Sequence, residues 1–108
     1  MDNKLEQLEK RYRELESLLS DPEVLANQAK FRDYAREHRS LGSTISKYDE
    51  LKSLRRQIED SRAMVLANED HEMTAMAKAE LVELEPRLKS LEEEIRAMLV
   101  PKDPNDFK

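Results

Sequence analysis

Apolar residues recur along this chain at alternating steps of three and four, the repeat of a helix that buries one stripe. Leu5, Leu8, Tyr12, Leu15 and Leu19 make the first stripe. Asn3, with Glu6 three residues on, has the spacing of a capping box and predicts a helix start there. The stop is expected near Ser20. Asp21-Pro22 then opens a short second helix from Pro22 through Ala26, with Asp21 as N-cap and proline at the first helical position, where its missing N–H would have had no partner.

A longer stripe follows. Phe31, Tyr34, His38, Leu41, Ile45 and Tyr48 keep the alternation, Leu51 and Leu54 add two further steps of three, a local stammer, and the stripe resumes at Ile58 and Val65. The pattern crosses Gly42 in phase and predicts one helix of roughly 40 residues, which at 1.5 Å per residue is about 60 Å long. The other reading breaks it at Gly42-Ser43, because glycine suits the position just past a helix C-terminus. Asn68-Glu69-Asp70 is the next break, with Asn68 ending one helix and Asp70 capping another. The last stripe is Met73, Ala77, Leu81, Leu84, Leu88, Leu91, Ile95 and Met98. Pro86 lies inside it and predicts a kink with the phase kept. Pro101 and Pro104 end the helix, leaving 101–108 as a linker or turn.

Amphipathic helices must bury their stripes on one another. The expected fold is all-α: an elongated antiparallel helical hairpin with an N-terminal helix packed on it, three-helix and coiled-coil-like. The first helix is too short to cover the whole hairpin, which invites a partner domain or a second copy of the chain. Composition agrees. Ala, Glu, Lys, Leu and Arg supply 59 of 108 residues, and only nine are β-branched. One glycine excludes phosphate-binding and dinucleotide-binding glycine loops, and the absence of cysteine excludes thiolate chemistry and Cys-ligated metal. The N-terminus has no apolar core of a signal peptide, and the longest apolar run, 63–67, is far below the roughly 20 residues of a membrane span. A cytoplasmic protein is expected.

Charge is uneven. The net charge is −5, yet residues 28–66 carry an excess of cations while both flanks are acidic. Arg32, Arg36, Arg39 and Lys47 lie along one face of the long helix, read as opposite the apolar stripe, with Arg55, Arg56 and Arg62 beyond. Two readings stand: a solvated face pairing with the acidic last helix, or a contact for phosphates. No aromatic is interleaved with these arginines to stack on bases, which argues against sequence-specific recognition. No catalytic constellation is legible, and no metal or cofactor site is expected. His38 falls in the apolar stripe as an interface residue. Asp70-His71-Glu72 reads as a helix start, because adjacent residues diverge around a helix, and Glu92-Glu93-Glu94 reads as a solvated face. Met73 and Met76 read as core or hairpin-tip packing, with a partner groove as the lesser alternative.

Four segments, taken in order, carry a family resemblance: Leu5–Glu16, LEQLEKRYRELE; Leu18–Val24, LLSDPEV; Glu72–Leu81, EMTAMAKAEL; and Met98–Asp106, MLVPKDPND. Together they resemble the N-terminal helical domain of the bacterial class-1 peptide chain release factors, of the type serving UAA and UAG. The most specific piece is Leu99-Val100-Pro101-Lys102-Asp103-Pro104. His71 departs from the family, which often has proline there. The resemblance implies a domain over 1–100 and, over 101–108, the start of a linker to codon-reading and Gly-Gly-Gln domains that this chain does not contain. It implies a role in translation termination without catalysis in this part. The implied partners are the ribosome, at the large-subunit stalk base with its RNA and protein, and the GTP-hydrolysing release factor. Arg32, Arg36, Arg39 and Lys47 are the candidate ribosome contacts, inferred from charge and not from a family motif. The competing expectation is a stand-alone coiled-coil scaffold or dimerisation module, and weak self-association fits either.

Overall fold

The structure, a computed structural model, describes residues 1–101, so the expected linker lies outside the described residues from 102 onward. Four helices follow one another: α1 (Asp2–Leu18), α2 (Pro22–Leu25), α3 (Gln28–Ala67) and α4 (His71–Leu99). No strand occurs among the described residues, and the fold is all-α. The chain forms two compact units, Met1–Tyr48 and the part from Asp49 onward, divided inside α3. No helix among the described residues is long and apolar enough to cross a membrane.

In the first unit, Leu5 and Leu15 of α1 are completely buried, and Val24, Ile45 and Tyr48 join them in the core. The expected start at Asn3 is corrected. The helix begins at Asp2, Met1 takes the N-cap position, and no side chain caps it. Burial of Leu5, whose N–H donates to the Met1 carbonyl at 3.1 Å, holds the first turn helical, so Asn3 is already inside. α1 ends in tightened turns, with the N–H groups of Ser20 and Asp21 donating three residues back. Asp21 caps α2 as expected, accepting from the Glu23 N–H at 3.0 Å. Asn27 caps α3 by accepting from the Lys30 N–H at 3.1 Å, a role the stripe analysis did not assign.

α1 is tied to the first half of α3 by polar and ring contacts. Arg11 donates two hydrogen bonds to the two carboxylate oxygens of Glu37, at 2.5 and 2.8 Å. Tyr12 stacks on His38, ring centroids 4.2 Å apart and planes 16° from parallel. His38 is therefore the interface residue its stripe position implied. Its Nε2 lies 3.7 Å from a Glu16 oxygen, too far for a hydrogen bond.

The hydrogen bonds from Arg11, and then its charge, hold the Glu37 carboxyl below the usual carboxylate range. The Arg13 hydrogen bond, then the Arg13 and His38 charges, do the same for Glu16. A carboxylate with a depressed folded-state pKa contributes stability above its unfolded value, about 4.3, and loses it as pH falls through the folded value. Melting temperature should therefore fall on acidification below about pH 4. Glu37→Gln, measured over the same series, should flatten that fall.

α3 is one unbroken helix through Gly42, which resolves the open question of a break there. Gly42 has no positive φ, and a Cβ built on it would meet nothing within 4 Å. The glycine thus costs helix stability with no conformational need. Gly42→Ala should stabilise by about 0.5–1 kcal/mol and raise the melting temperature by a few degrees, read by circular dichroism.

In the second unit, Leu51, Leu54 and Ile58 of α3 and Ala77, Leu84, Leu91 and Ile95 of α4 are buried. Pairs across the seam fix the direction. Arg55 reaches Glu92 at 3.5 Å, Ser61 donates to Glu80 at 3.0 Å, and Arg62 reaches Glu85 at 3.6 Å. From Arg55 to Ser61 and Arg62 the partners run back from Glu92 to Glu80 and Glu85, so the two segments are antiparallel, as the short connection requires. Ser61 fills the gap between Ile58 and Val65 in the stripe. Asn68 turns the chain with φ 47°, a left-handed conformation asparagine tolerates. Asp70 then caps α4, accepting from the N–H groups of Glu72 and Met73 at 2.9 and 3.1 Å.

Two assignments in α4 are corrected. Thr74 takes the buried place expected of Met73, its hydroxyl donating to the Asp70 carbonyl at 2.7 Å. Met73 and Met76 are exposed, so they are not tip packing, and Met73 lines an open cleft with Met64. Glu92 is half-buried and paired with Arg55, so the acidic triplet is not wholly a solvated face. Pro86 sits within one unbroken α4, with the stripe in phase on both sides. Val100 is extended, the conformation a following proline imposes.

Candidate functional site

The site forms where α2 comes against the start of α3. α2 is one turn, Pro-Glu-Val-Leu, held by the Asp21 cap. Val24 turns into the core and Leu25 is left 56% exposed. Between α2 and α3 lies an open groove of about 540 Å³, lined by Leu25, Gln28, Phe31, Arg32, Ala35, Arg36 and Arg39. At 100° per residue, Phe31, Ala35, Gln28, Arg39, Arg32 and Arg36 succeed one another around α3, so a single helix face builds floor and rim.

The arginines lie on the side of α3 away from buried Ile45 and Tyr48, and Phe31, at the exposed end of the apolar stripe, lies across the groove floor from them. Phe31 is 39% exposed and shares the groove with all three arginines. An aromatic is therefore interleaved with the basic cluster, contrary to the sequence expectation. The misreading came from extrapolating the buried stripe to the N-terminal end of α3.

Arg32, Arg36 and Arg39 are solvent-exposed, and none is paired with a carboxylate among the described residues. Glu37, near them in sequence, is committed to Arg11. No carboxylate lines the groove, so three guanidinium charges stand uncompensated around a small apolar floor. The N-terminal end of α3 adds the positive end of its dipole. Lys47 does not belong to this site: it is half-buried, does not line the groove and is already engaged in an interaction of its own.

The more distant arginines behave differently. Arg55 and Arg62 pair with Glu92 and Glu85 of α4, the structural role that the acidic last helix implied. Arg56 is exposed. The two readings of the basic segment thus apply to different residues, with ion pairing in the second unit and a free cationic groove in the first. The groove is lined by guanidinium, amide, aromatic and aliphatic groups, and this set can grip anions and flat or apolar surfaces.

The PCRF domain profile matches residues 8–108, and the chain belongs to the PCRF domain family. A curated relative from Geobacter sulfurreducens, "Peptide chain release factor 1", is 49% identical over 106 residues, covering 98% of this chain and 29% of the relative. Proteins of the same name from Syntrophomonas wolfei and a Geobacillus species are 46% and 43% identical over 108 residues, all of this chain and 30% of each relative. The chain spans about 30% of the length of these curated relatives. No solved structure matches it.

Proposed function

We propose that this chain is the ribosome-engaging part of a translation-termination factor, whose parent protein releases the nascent peptide at UAA and UAG codons. Codon reading and peptide release belong to other domains of that parent, and the helical part binds without catalysing. The support is similarity along the whole chain to proteins named peptide chain release factor 1, together with an unpaired arginine groove suited to a phosphate-rich partner. The large-subunit stalk base, with its RNA and protein, is the expected docking place, near where a GTP-hydrolysing release factor acts. A factor with this role works in the cytoplasm.

Cosedimentation with bacterial ribosomes tests the proposal. The chain should pellet with ribosomes at low salt and be released as salt rises, since the contact is electrostatic. Failure to pellet at low salt, or a parent reading frame without a Gly-Gly-Gln codon run, would refute it. The competing scaffold reading draws on Leu66, Met76 and Val82, which are strongly exposed in the second unit. Light scattering separates the two: a stable dimer of the isolated chain favours the scaffold, and a monomer favours the ribosome factor.

A further inference from the structure

We propose that the groove between α2 and α3 holds an unpaired stretch of RNA, one base lying on Phe31 and the flanking phosphates held by Arg32, Arg36 and Arg39. This deepens the ribosome-binding proposal and rests on it.

Three observations carry the inference. First, the groove is purely cationic among its ionisable lining, and its three guanidiniums have no carboxylate partners. Guanidinium forks match phosphate oxygens two at a time. Second, the three arginines follow one another by four and then three residues, roughly 10 Å of helix axis at 1.5 Å per residue. They form a short track along one side of the groove. Third, Phe31 is 39% exposed beside that track, while Leu25 offers a second apolar surface from α2.

An aromatic platform beside a cationic track is how proteins hold single strands, the ring taking a base and the cations the backbone. A duplex keeps its bases stacked and would leave Phe31 and Leu25 without a partner. A protein segment is disfavoured by scale. Three apolar side chains, Leu25, Phe31 and Ala35, are a small floor against the roughly 800 Å² per partner of a stable protein interface. A nucleotide needs only a ring-sized platform, because phosphates supply most of the affinity.

The test is fluorescence anisotropy with the 108-residue chain and four labelled probes: a twelve-nucleotide uridine strand, an abasic strand of equal length, a twelve-base-pair RNA duplex and a poly-glutamate peptide. The uridine strand should bind tightest. With three phosphate contacts, its affinity should fall about twentyfold between 50 and 200 mM salt. Phe31→Leu, which keeps an apolar side chain without the ring, should weaken the uridine strand about tenfold and leave the abasic strand unchanged. Equal binding of uridine and abasic strands, or tighter binding of duplex or peptide, overturns the unpaired-base proposal. So does the absence of binding to every probe. Each of these results leaves the ribosome proposal standing if the chain still pellets with ribosomes, and only loss of pelleting refutes both. The wild-type comparison of uridine with abasic strand needs no variant, so a misfolded Phe31→Leu would not shield the proposal.

Discussion

Ile95→Asp should abolish the cooperative melting of the second unit, whereas Leu88→Asp, one stripe position of the same helix, should leave it folded and only weakened. Both residues belong to the apolar repeat of α4, and periodicity alone treats them as equivalent. The structure separates them. Ile95 is 0% exposed, and Leu88 is half-buried in an open groove that Arg55 and Arg62 also line. A carboxylate at Ile95 loses its hydration, and the lost branched side chain adds a cavity. The combined cost, about 4 kcal/mol or more, rivals the whole stability of a small domain. A carboxylate at Leu88 keeps contact with water, in a groove lined by Glu59 as well as by the paired Arg55 and Arg62, so about 1–2 kcal/mol is expected. Helicity at 222 nm followed through a thermal melt checks both. Equal melting temperatures would show that the seam is misassigned.

The second large effect concerns the groove. Changing Arg32, Arg36 and Arg39 together to glutamate should weaken ribosome binding about a hundredfold at low salt, and more if repulsion from phosphates is strong. Folding should be little affected, because exposed substitutions of this kind usually shift stability by less than about 0.5 kcal/mol each. The salt dependence of binding should flatten by about one unit of slope per arginine removed. Lys47→Glu is the internal control: being outside the groove, it should leave binding near the unaltered level. Competition cosedimentation measures all three. Undiminished binding of the triple variant would place the ribosome contact elsewhere on the chain.

The sequence was most informative where one residue's local chemistry decides the outcome. Asp21, Asn68 and Asp70 are legible because a cap or a left-handed turn needs only the residue and its neighbours. The antiparallel seam is legible because leucine spacing and a three-residue connection leave little choice. Asn3 failed because the burial of Leu5 overrides local capping preference. Thr74 and Ser61 were missed for another reason. A stripe defined by apolar residues cannot register hydroxyls that are buried with their hydrogen bonds satisfied. The groove was half legible. The arginine spacing is plain in the sequence, but the exposure of Phe31 depends on how far the core extends, which periodicity does not tell.

Ser61 carries a consequence for alignment. Heptad repeats by themselves are nearly indifferent to a slide of seven residues, since leucine meets leucine in either position. The hydroxyl of Ser61 meets the Glu80 carboxylate. Sliding α4 by one heptad in either direction would set Ser61 against Met73 or Arg87 and leave its buried hydroxyl without the Glu80 carboxylate. One polar notch in an otherwise greasy zipper therefore acts as a key, admitting a single registration of the two rods and rejecting its near neighbours.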